Sequence, residues 1–170
     1  MNRVNLSDEL PGMLPRLWAF AFRISRNKYD AEELVQRACV RGLERAHQLL
    51  PDTSPLHWMF AVIHSIWLNE LRSRKIRGRR CVDWDSELLE SIADSNSPDP
   101  EGNVSMYQII DAVQRLPESQ RTVLVLVAVE GLSYREAAVV LSVPIGTIMS
   151  RLSRARKTLG AAFRPITSGQ

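Results

Sequence analysis

The sequence predicts an all-α protein made of two small helical domains joined by an acidic linker, and two observations support this fold class. Apolar residues recur at helical spacing wherever a pattern is clear, and no convincing alternation of apolar and polar residues marks a strand. The periodic pattern is interrupted at 81–103, where the stretch from Ser95 to Pro100 has no apolar repeat. We therefore expect one domain at 1–80, a linker at 81–103 and a second domain, with a helix-turn-helix, at 104–170.

Three helices are predicted in the first domain. The first covers about 10–25. The second starts with the D-x-x-E pattern of Asp30 and Glu33, which is typical of a capping box, and ends near residue 50. The third starts with Ser54 as its N-cap and Pro55 at the first helical position, and it continues into a basic stretch.

The second of these helices carries two stripes. One is predicted to lie in the core and consists of Ala31, Leu34, Val35, Ala38, Gly42, Ala46 and Leu49. The other points away from the first and comprises Gln36, Val40, Leu43 and His47. Because this second stripe is partly apolar, it either packs under a neighbouring helix or meets a partner protein, and the residues alone leave both open.

The charge of the protein is placed unevenly. The formal net charge of the 170 residues is only +3, but 72–80 contains six Lys or Arg among nine residues. The stretch 82–101 contains seven Asp or Glu and no Lys or Arg. A basic run is most often a solvated face, yet this abrupt alternation also fits attraction to a nucleic-acid backbone.

The second domain contains the most specific local pattern. Helices are predicted at 104–116 and 117–130, the latter closed by Gly131. Ser133 and Glu136 then form an S-x-x-E capping box that opens a helix ending at residue 141. After a break at Ser142-Val143-Pro144, a longer basic helix runs to about residue 163. A short helix, a tight turn and a longer basic helix predict a helix-turn-helix, whose second helix characteristically enters the major groove.

The last helix has one apolar face and one face suited to reading DNA. Small residues near its start allow close approach, Arg can bond a guanine edge in two places, and Lys or Thr can hold phosphates. A solvated amphipathic helix is the alternative for an isolated basic helix, but the capped helix and turn before it favour DNA binding. The exposed set is Gly146, Ser150, Arg154 and Lys157, flanked by Thr147, Arg151 and Ser153.

Four segments resemble the extracytoplasmic-function sigma factors of bacterial RNA polymerase. GLSYREAAVVLSVPIGTIMSRLSRARKTL is similar to the region-four segment that reads promoters, and LPESQRTVLVLVAVEG is similar to its lead-in. DAEELVQRACVRGLERA resembles the region-two helix that binds the polymerase core. HWMFAVIHSIWLNELRSRKIR resembles the segment that melts and reads the minus-ten element. The resemblance covers the chain from about Leu10 to Phe163.

This resemblance implies core RNA polymerase, promoter DNA and a cognate anti-sigma factor as partners. The acidic linker would then run through the polymerase interior, or else serve as a solvated spacer. The residues expected to contact core polymerase are Glu33, Gln36, Val40 and Leu43; those expected at the minus-ten element are Ser65, Asn69, Arg72, Arg74 and Lys75; and those expected at the minus-thirty-five element are Gly146, Thr147, Ser150, Arg151, Arg154 and Lys157.

The chain departs from the family pattern at two positions. Ser65 aligns where Asn is usual, and Met149 lies where Arg or Lys commonly precedes the S-R-L motif. Met149 cannot make the charged contact and would more naturally meet a thymine methyl group. We therefore expect the promoter preference, rather than the fold, to differ from that of relatives.

Other function classes are less well supported by the sequence. The three histidines match no metal-ligand or catalytic motif, so we expect no enzyme activity, catalytic residue, metal or cofactor. A sigma-like protein that sequesters an anti-sigma factor would need no basic recognition face, and a simple repressor would need no first domain of this kind.

The cellular setting is predicted from what the chain lacks. Cys39 and Cys81 match neither a metal-ligand spacing nor a disulfide framework, which is typical of a reducing compartment. No leader and no apolar run of the ~20 residues that span a bilayer is found, so we expect a cytoplasmic protein without membrane insertion.

Overall fold

A computed structural model describes residues 5–78 and 105–163, and within these ranges the regular structure is helical throughout. The prediction of an all-α fold is therefore confirmed. The predicted linker at 81–103 lies outside the described residues. The helices are α1 (Leu6–Ser25), α2 (Lys28–Glu44), α3 (Pro55–Ile76), α4 (Met106–Gln114), α5 (Glu118–Leu124), α6 (Tyr134–Leu141) and α7 (Ile145–Ala162), with a 3₁₀ turn at Ala46–Gln48 and a π-helical turn at Val125–Val129.

The predicted starts of the first two helices were wrong. Helix α1 starts four residues earlier than expected, because the side chain of Asn5 accepts the Ser7 N–H and caps it. Helix α2 is capped by Asn27, whose Oδ1 accepts the N–H of Asp30 at 3.0 Å. Asp30 thus lies inside the first turn rather than at the cap. Helix α2 also ends at Glu44 instead of near residue 50.

The first domain is built by α1, α2 and α3, which all pack against one another. The predicted start of α3 is confirmed, because the Ser54 hydroxyl accepts the His57 N–H and Pro55 opens the helix. Gly42 on α2 permits a close approach of α3, since a Cβ placed there would lie 2.7 Å from Sδ of Met59. The core of this domain contains the fully buried side chains Leu17, Phe20, Ile24, Ala31, Ala38, Met59, Phe60 and Ile63.

The second domain begins with a capping box that the sequence interpretation missed, in which Ser105 and Gln108 exchange hydrogen bonds. Helix α5 continues into the π-helical turn, and Gly131 then adopts a φ of +75°, a left-handed conformation that favours glycine. Helix α7 packs against α5, α6 and α4. The predicted helices of this domain are therefore present. The π-helical turn was not predicted.

The two domains contact each other directly. Helix α3 packs along α6, and α1 contacts α5. Buried apolar residues of both domains form one continuous cluster, which joins Phe20 and Ile63 to Leu126 and Ala137. The arrangement of the domains could not be derived from the sequence.

No individual helix within 5–78 and 105–163 has the length and apolar character needed to cross a membrane; the bent α6–α7 pair meets those two criteria only when its helices are counted together.

Candidate nucleic-acid interface

The helix-turn-helix forms as predicted. Ser133 and Glu136 exchange the two hydrogen bonds of a capping box, at 3.2 Å and 2.7 Å. Helix α6 ends at Leu141, its C-cap Ser142 adopts the left-handed conformation, and the axes of α6 and α7 then differ by 105°. This angle lies within the range of ~90–120° found in helix-turn-helix motifs.

Helix α7 has one buried and one exposed face. Ile148 and Ala155 are fully buried and Leu152 is nearly so, and together they dock α7 onto the domain core. Gly146, Ser150, Arg154 and Lys157 are exposed on the opposite side, whereas Thr147 and Arg151 are half-buried at its edge. Within the described ranges neither Arg154 nor Lys157 forms an ion pair, so their charges face solvent.

The start of α7 is open to a partner. Its N-cap, Pro144, has no side-chain hydrogen bond to the helix, and a Cβ placed on Gly146 would meet no atom within 4 Å. The fold itself therefore does not require glycine at 146. Met149, where the promoter preference is expected to depart from that of relatives, is 49% exposed on the same helix.

Helix α3 presents a second polar face. Ser65, Asn69 and Arg72 are exposed and lie at i, i+4 and i+7, which places them on one side of the helix. Lys75 is exposed as well. The structure thus brings four of the five residues predicted for the minus-ten element to the surface of one helix.

Arg74, the fifth residue of that set, is placed differently. Its guanidinium makes two bonds to the carboxylate of Asp30 and one of 2.9 Å to Glu70, and it lies 5.4 Å from the ring of Trp67. The hydrogen bond to Asp30 is the largest cause of a raised pKa of Arg74. Arg74 therefore holds α3 against α2, while the neighbouring cations remain exposed.

The second stripe of α2 lies on the surface. Val40 is 59% and Leu43 47% exposed, and Glu33 and Gln36 beside them are exposed too. No helix within 5–78 or 105–163 covers this stripe, so in the described part of the chain it is free to meet a partner protein. Exposed apolar side chains that follow one face of a helix are typical of a protein interaction surface.

Two histidines of α3 face the second domain. His57 Nδ1 lies 3.7 Å from a carboxylate oxygen of Glu136 on α6. His64 is buried, and its pKa is lowered to about 4, mainly by burial and secondarily by the positive charge of Arg151 on α7. The charge of Arg151, a residue predicted to read DNA, therefore acts on a histidine of α3.

The polar contacts between the domains were missed by the sequence interpretation. Arg121 is only 3% exposed and donates to backbone carbonyls of both domains, those of Arg23 and Ile24 in α1 and that of Leu116. The sequence offered only one signal for these contacts, which is that Arg121 lies next to the apolar run after residue 122. That signal does not reveal the two acceptors in α1, which lie almost a hundred residues away.

The comparisons with known proteins agree with this geometry. The family model for Sigma-70 region 2 matches 12–76, and that for Sigma-70 region 4 matches 106–159. The chain is 30% identical over 157 residues to the ECF RNA polymerase sigma factor EcfG of Rhodopseudomonas palustris, covering 92% of this chain and 84% of that protein. It is also 30% identical to the RNA polymerase sigma-H factor of Pseudomonas aeruginosa, over 85% of this chain and 78% of that one.

A solved structure shows the same fold. The sigma factor RpoE of Bartonella quintana, in complex with the anti-sigma factor NepR, matches with a TM-score of 0.69 and 26% identity, covering 92% of this chain and 94% of that one. In this chain region 2 precedes region 4. The chain therefore belongs to the extracytoplasmic-function sigma factors of the sigma-70 family, the subunits that direct RNA polymerase to promoters and start transcription there.

Proposed function

We propose that this sigma factor reads a promoter at two places, with α7 at the minus-thirty-five element and α3 at the minus-ten element. The observation that carries the proposal is the exposed face of α7. There, Ser150, Arg154 and Lys157 project from a helix whose opposite face is anchored in the core. Such a helix can enter the major groove without loss of its packing.

The exposed residues of α7 are suited to different contacts with DNA. Arg154 is the residue best suited to a bidentate bond to guanine, since its guanidinium is exposed and forms no ion pair within the described ranges. Lys157 and Arg151 supply charge for phosphates. Gly146 and Thr147, at the uncapped start of the helix, allow a phosphate to approach the backbone N–H groups.

The exposed face of α3 supports the second reading site. Ser65, Asn69 and Arg72 form a polar strip that is suited to hydrogen bonds with an unpaired strand, and Lys75 adds a cation at its end. Trp67 is 3% exposed and Trp58 is half-buried, so neither ring offers a free face on which a base could stack. We therefore assign strand contact to the polar residues rather than to these rings.

The exposed stripe of α2 is proposed as the contact for core RNA polymerase. Val40 and Leu43 supply apolar area, and Glu33 and Gln36 supply polar contacts at its edge. A protein that acts with polymerase works in the cytoplasm, and this role involves no catalysis by the sigma factor itself. The structural relative that binds NepR supports an anti-sigma factor as a further partner.

Transcription in vitro tests this proposal. Purified core polymerase is supplied with the protein on a promoter, with the upstream and downstream elements altered one at a time. We expect initiation that requires the protein, and a loss when either element is altered. Binding of the free protein to promoter DNA should be weak.

One outcome would replace the proposal. If no promoter responds while an anti-sigma factor still binds the protein, the chain acts as a sigma-like mimic that sequesters that factor. The exposed basic residues of α7 argue against this outcome, because a mimic has no use for them.

A further inference from the structure

We propose that Ile76, the last residue of α3, is a further DNA contact at the minus-ten element. Its apolar side chain packs against the face of an unstacked base, at the point where the opened strand meets the duplex. The inference deepens the proposed function and rests on it, because it requires that α3 reads the minus-ten element. Ile76 is not among the residues that the sequence resemblance assigned to that element.

The exposure of Ile76 is the first observation. At 87%, it is the most exposed of the large apolar side chains within 5–78 and 105–163. A side chain so exposed adds little to the core, and a β-branched residue is less favourable in a helix than a straight-chain residue such as Lys or Gln. Neither packing nor helix formation therefore explains an isoleucine at this position.

The position of Ile76 on α3 is the second observation, and it matters because single exposed apolar residues are common on protein surfaces. Ile76 follows Asn69 by seven residues and Arg72 by four, which places it on the same side of the helix as both. At ~100° per residue, the strip from Ser65 to Ile76 spans an arc of about 60°. Ile76 therefore extends the polar strip proposed to contact the unpaired strand.

The length of this strip indicates what Ile76 would meet. Its ends are 11 residues apart, or about 16 Å at ~1.5 Å per residue, and stacked bases are ~3.4 Å apart, so the strip can follow about five bases. The side chains of Ser65, Asn69 and Arg72 can hydrogen-bond along this row, whereas that of Ile76 cannot. The end of the strip thus suits the apolar face of a base that has lost its stacking neighbour.

The charges around Ile76 fit a nucleic acid. Lys75 and Arg77 flank it in the sequence, Arg72 lies one turn before it, and all three are exposed. In the described part of the chain neither Lys75 nor Arg72 has an ion pair, and Arg77 has one long contact of 3.5 Å to Glu70. These cations can hold phosphates on either side while the isoleucine reaches the base between them.

The end of α3 leaves this side chain unobstructed. The N–H of Arg77, the C-cap, still bonds to the carbonyl of Ser73 at 3.1 Å, but Gly78 then adopts a φ of +68°, a left-handed conformation that ends the helical path. Ile76 therefore projects from the last turn of the helix. Proteins that unstack base steps commonly insert an apolar side chain such as Ile or Leu to do so.

Substitutions of Ile76 test the inference without altering the charge of α3. Ile76→Gln replaces the apolar side chain with a polar one of similar size, and Ile76→Leu keeps the apolar area. Val139→Gln is the matched control, because Val139 is also β-branched and is 77% exposed on a helix, α6. Binding to core polymerase without DNA is measured for every variant and should equal that of the wild type, which also shows that each variant is folded.

Initiation with core polymerase is then measured on a duplex promoter and on the same promoter opened in advance by mismatches across the minus-ten element. Ile76→Gln should lower initiation about ten-fold on the duplex, equivalent to about 1.4 kcal/mol. On the opened template the loss should be less than about three-fold, because the unstacking has already been made. Ile76→Leu should keep most of the activity on both templates, and Val139→Gln should match the wild type.

The outcomes distinguish this inference from the function that it rests on. If Ile76→Gln initiates as well as the wild type on the duplex, or loses as much on the opened template as on the duplex, Ile76 does not act on an unstacked base and the inference is overturned. A loss of core binding without DNA would place Ile76 at a protein interface and overturn it too. If the wild type itself starts no transcription on either template, it is the proposed function that fails.

Discussion

Helices α3 and α7 both carry basic side chains along a face proposed to contact DNA, but they support those side chains differently. On α7 the basic residues project from one side, and a narrow apolar stripe anchors the other. Helix α3 is buried over more of its circumference, and one of its cations, Arg74, is committed to Asp30 and Glu70. Equal charge in the sequence therefore does not mean equal availability to DNA.

The largest effect is expected from His64 on α3. Its pKa is about 4 in the folded protein and near 6.5 when unfolded, so below pH 6.5 the unfolded chain gains a proton that the folded one does not. Stability is therefore full above pH 6.5 and falls as the pH drops towards 4, by up to about 3 kcal/mol. Urea unfolding of wild type and His64→Gln at a series of pH values measures this.

The variant should show a flatter dependence of stability on pH between 6.5 and 4. His47→Gln serves as the control, because His47 is exposed on the surface of the same domain. If the wild type and His64→Gln lose stability in parallel over this range, His64 does not titrate as its burial predicts.

The next largest effect on stability is expected at Arg74, which we compare with Arg72, a neighbouring cation of α3. Arg74→Met removes hydrogen bonds to two half-buried carboxylates and should lower the free energy of unfolding by about 2 kcal/mol. Arg72→Met should change it by less than about 0.5 kcal/mol, because Arg72 is exposed. Denaturant unfolding measures both values.

Transcription should rank the same two variants in the opposite way. At a temperature where both variants are folded, Arg72→Met should weaken use of promoters that depend on the minus-ten element, whereas Arg74→Met should retain it. Equal losses of transcription would mean that Arg74 leaves its carboxylates to contact DNA.

A substitution of Arg154 tests the exposed basic face of α7. Arg154→Ala should cost about 1 to 3 kcal/mol of binding at promoters with the preferred upstream base, and less at promoters altered at that base. Arg156→Ala removes the same charge from an exposed position that is separated from Arg154 by about 160° around the helix axis. A uniform loss across promoter variants would assign Arg154 to a phosphate.

The fold was predictable where short-range patterns decide it. The capping box at Ser133, the N-cap at Ser54 and the helical spacing of α7 all depend on residues within a few positions of each other. At Asn27 the interpretation failed because two acceptable caps, Asn27 and Asp30, lie three residues apart, and the local sequence does not choose between them. Arg121 and Glu130 bond to groups almost a hundred or more residues away, and no local pattern reports such contacts.

Local sequence patterns likewise predicted only part of the candidate site. Exposure of Arg154 and of the strip from Ser65 to Arg72 followed from the helical period. The burial of Arg74 did not follow from the composition of its basic stretch, although its wheel position, opposite Ser65, and the acidic Glu70 one turn earlier both indicate it. The residues of a charged stretch must therefore be assigned to the faces of their helix before functional roles are given to them.

The smallest effect on stability is expected at Gly146. A substitution there separates the requirements of the fold from those of DNA binding. A Cβ at 146 meets no atom within 4 Å, and alanine is favoured over glycine in a helix, so Gly146→Ala should raise the free energy of unfolding by about 0.5 kcal/mol. Gly160→Ala, also unobstructed and exposed on α7, should raise it similarly. Denaturant unfolding and transcription are measured on both.

The two alanine variants should differ only when DNA is present. If the start of α7 approaches a phosphate closely, the added methyl group at 146 keeps the backbone away, and transcription from promoters with the upstream element falls while stability rises. At 160, far from the start of the helix, transcription should stay unchanged. A Gly146→Ala variant that gains stability and keeps full transcription would show that this helix start is not a DNA contact, and it would confine upstream reading to the exposed side chains from Ser150 to Lys157.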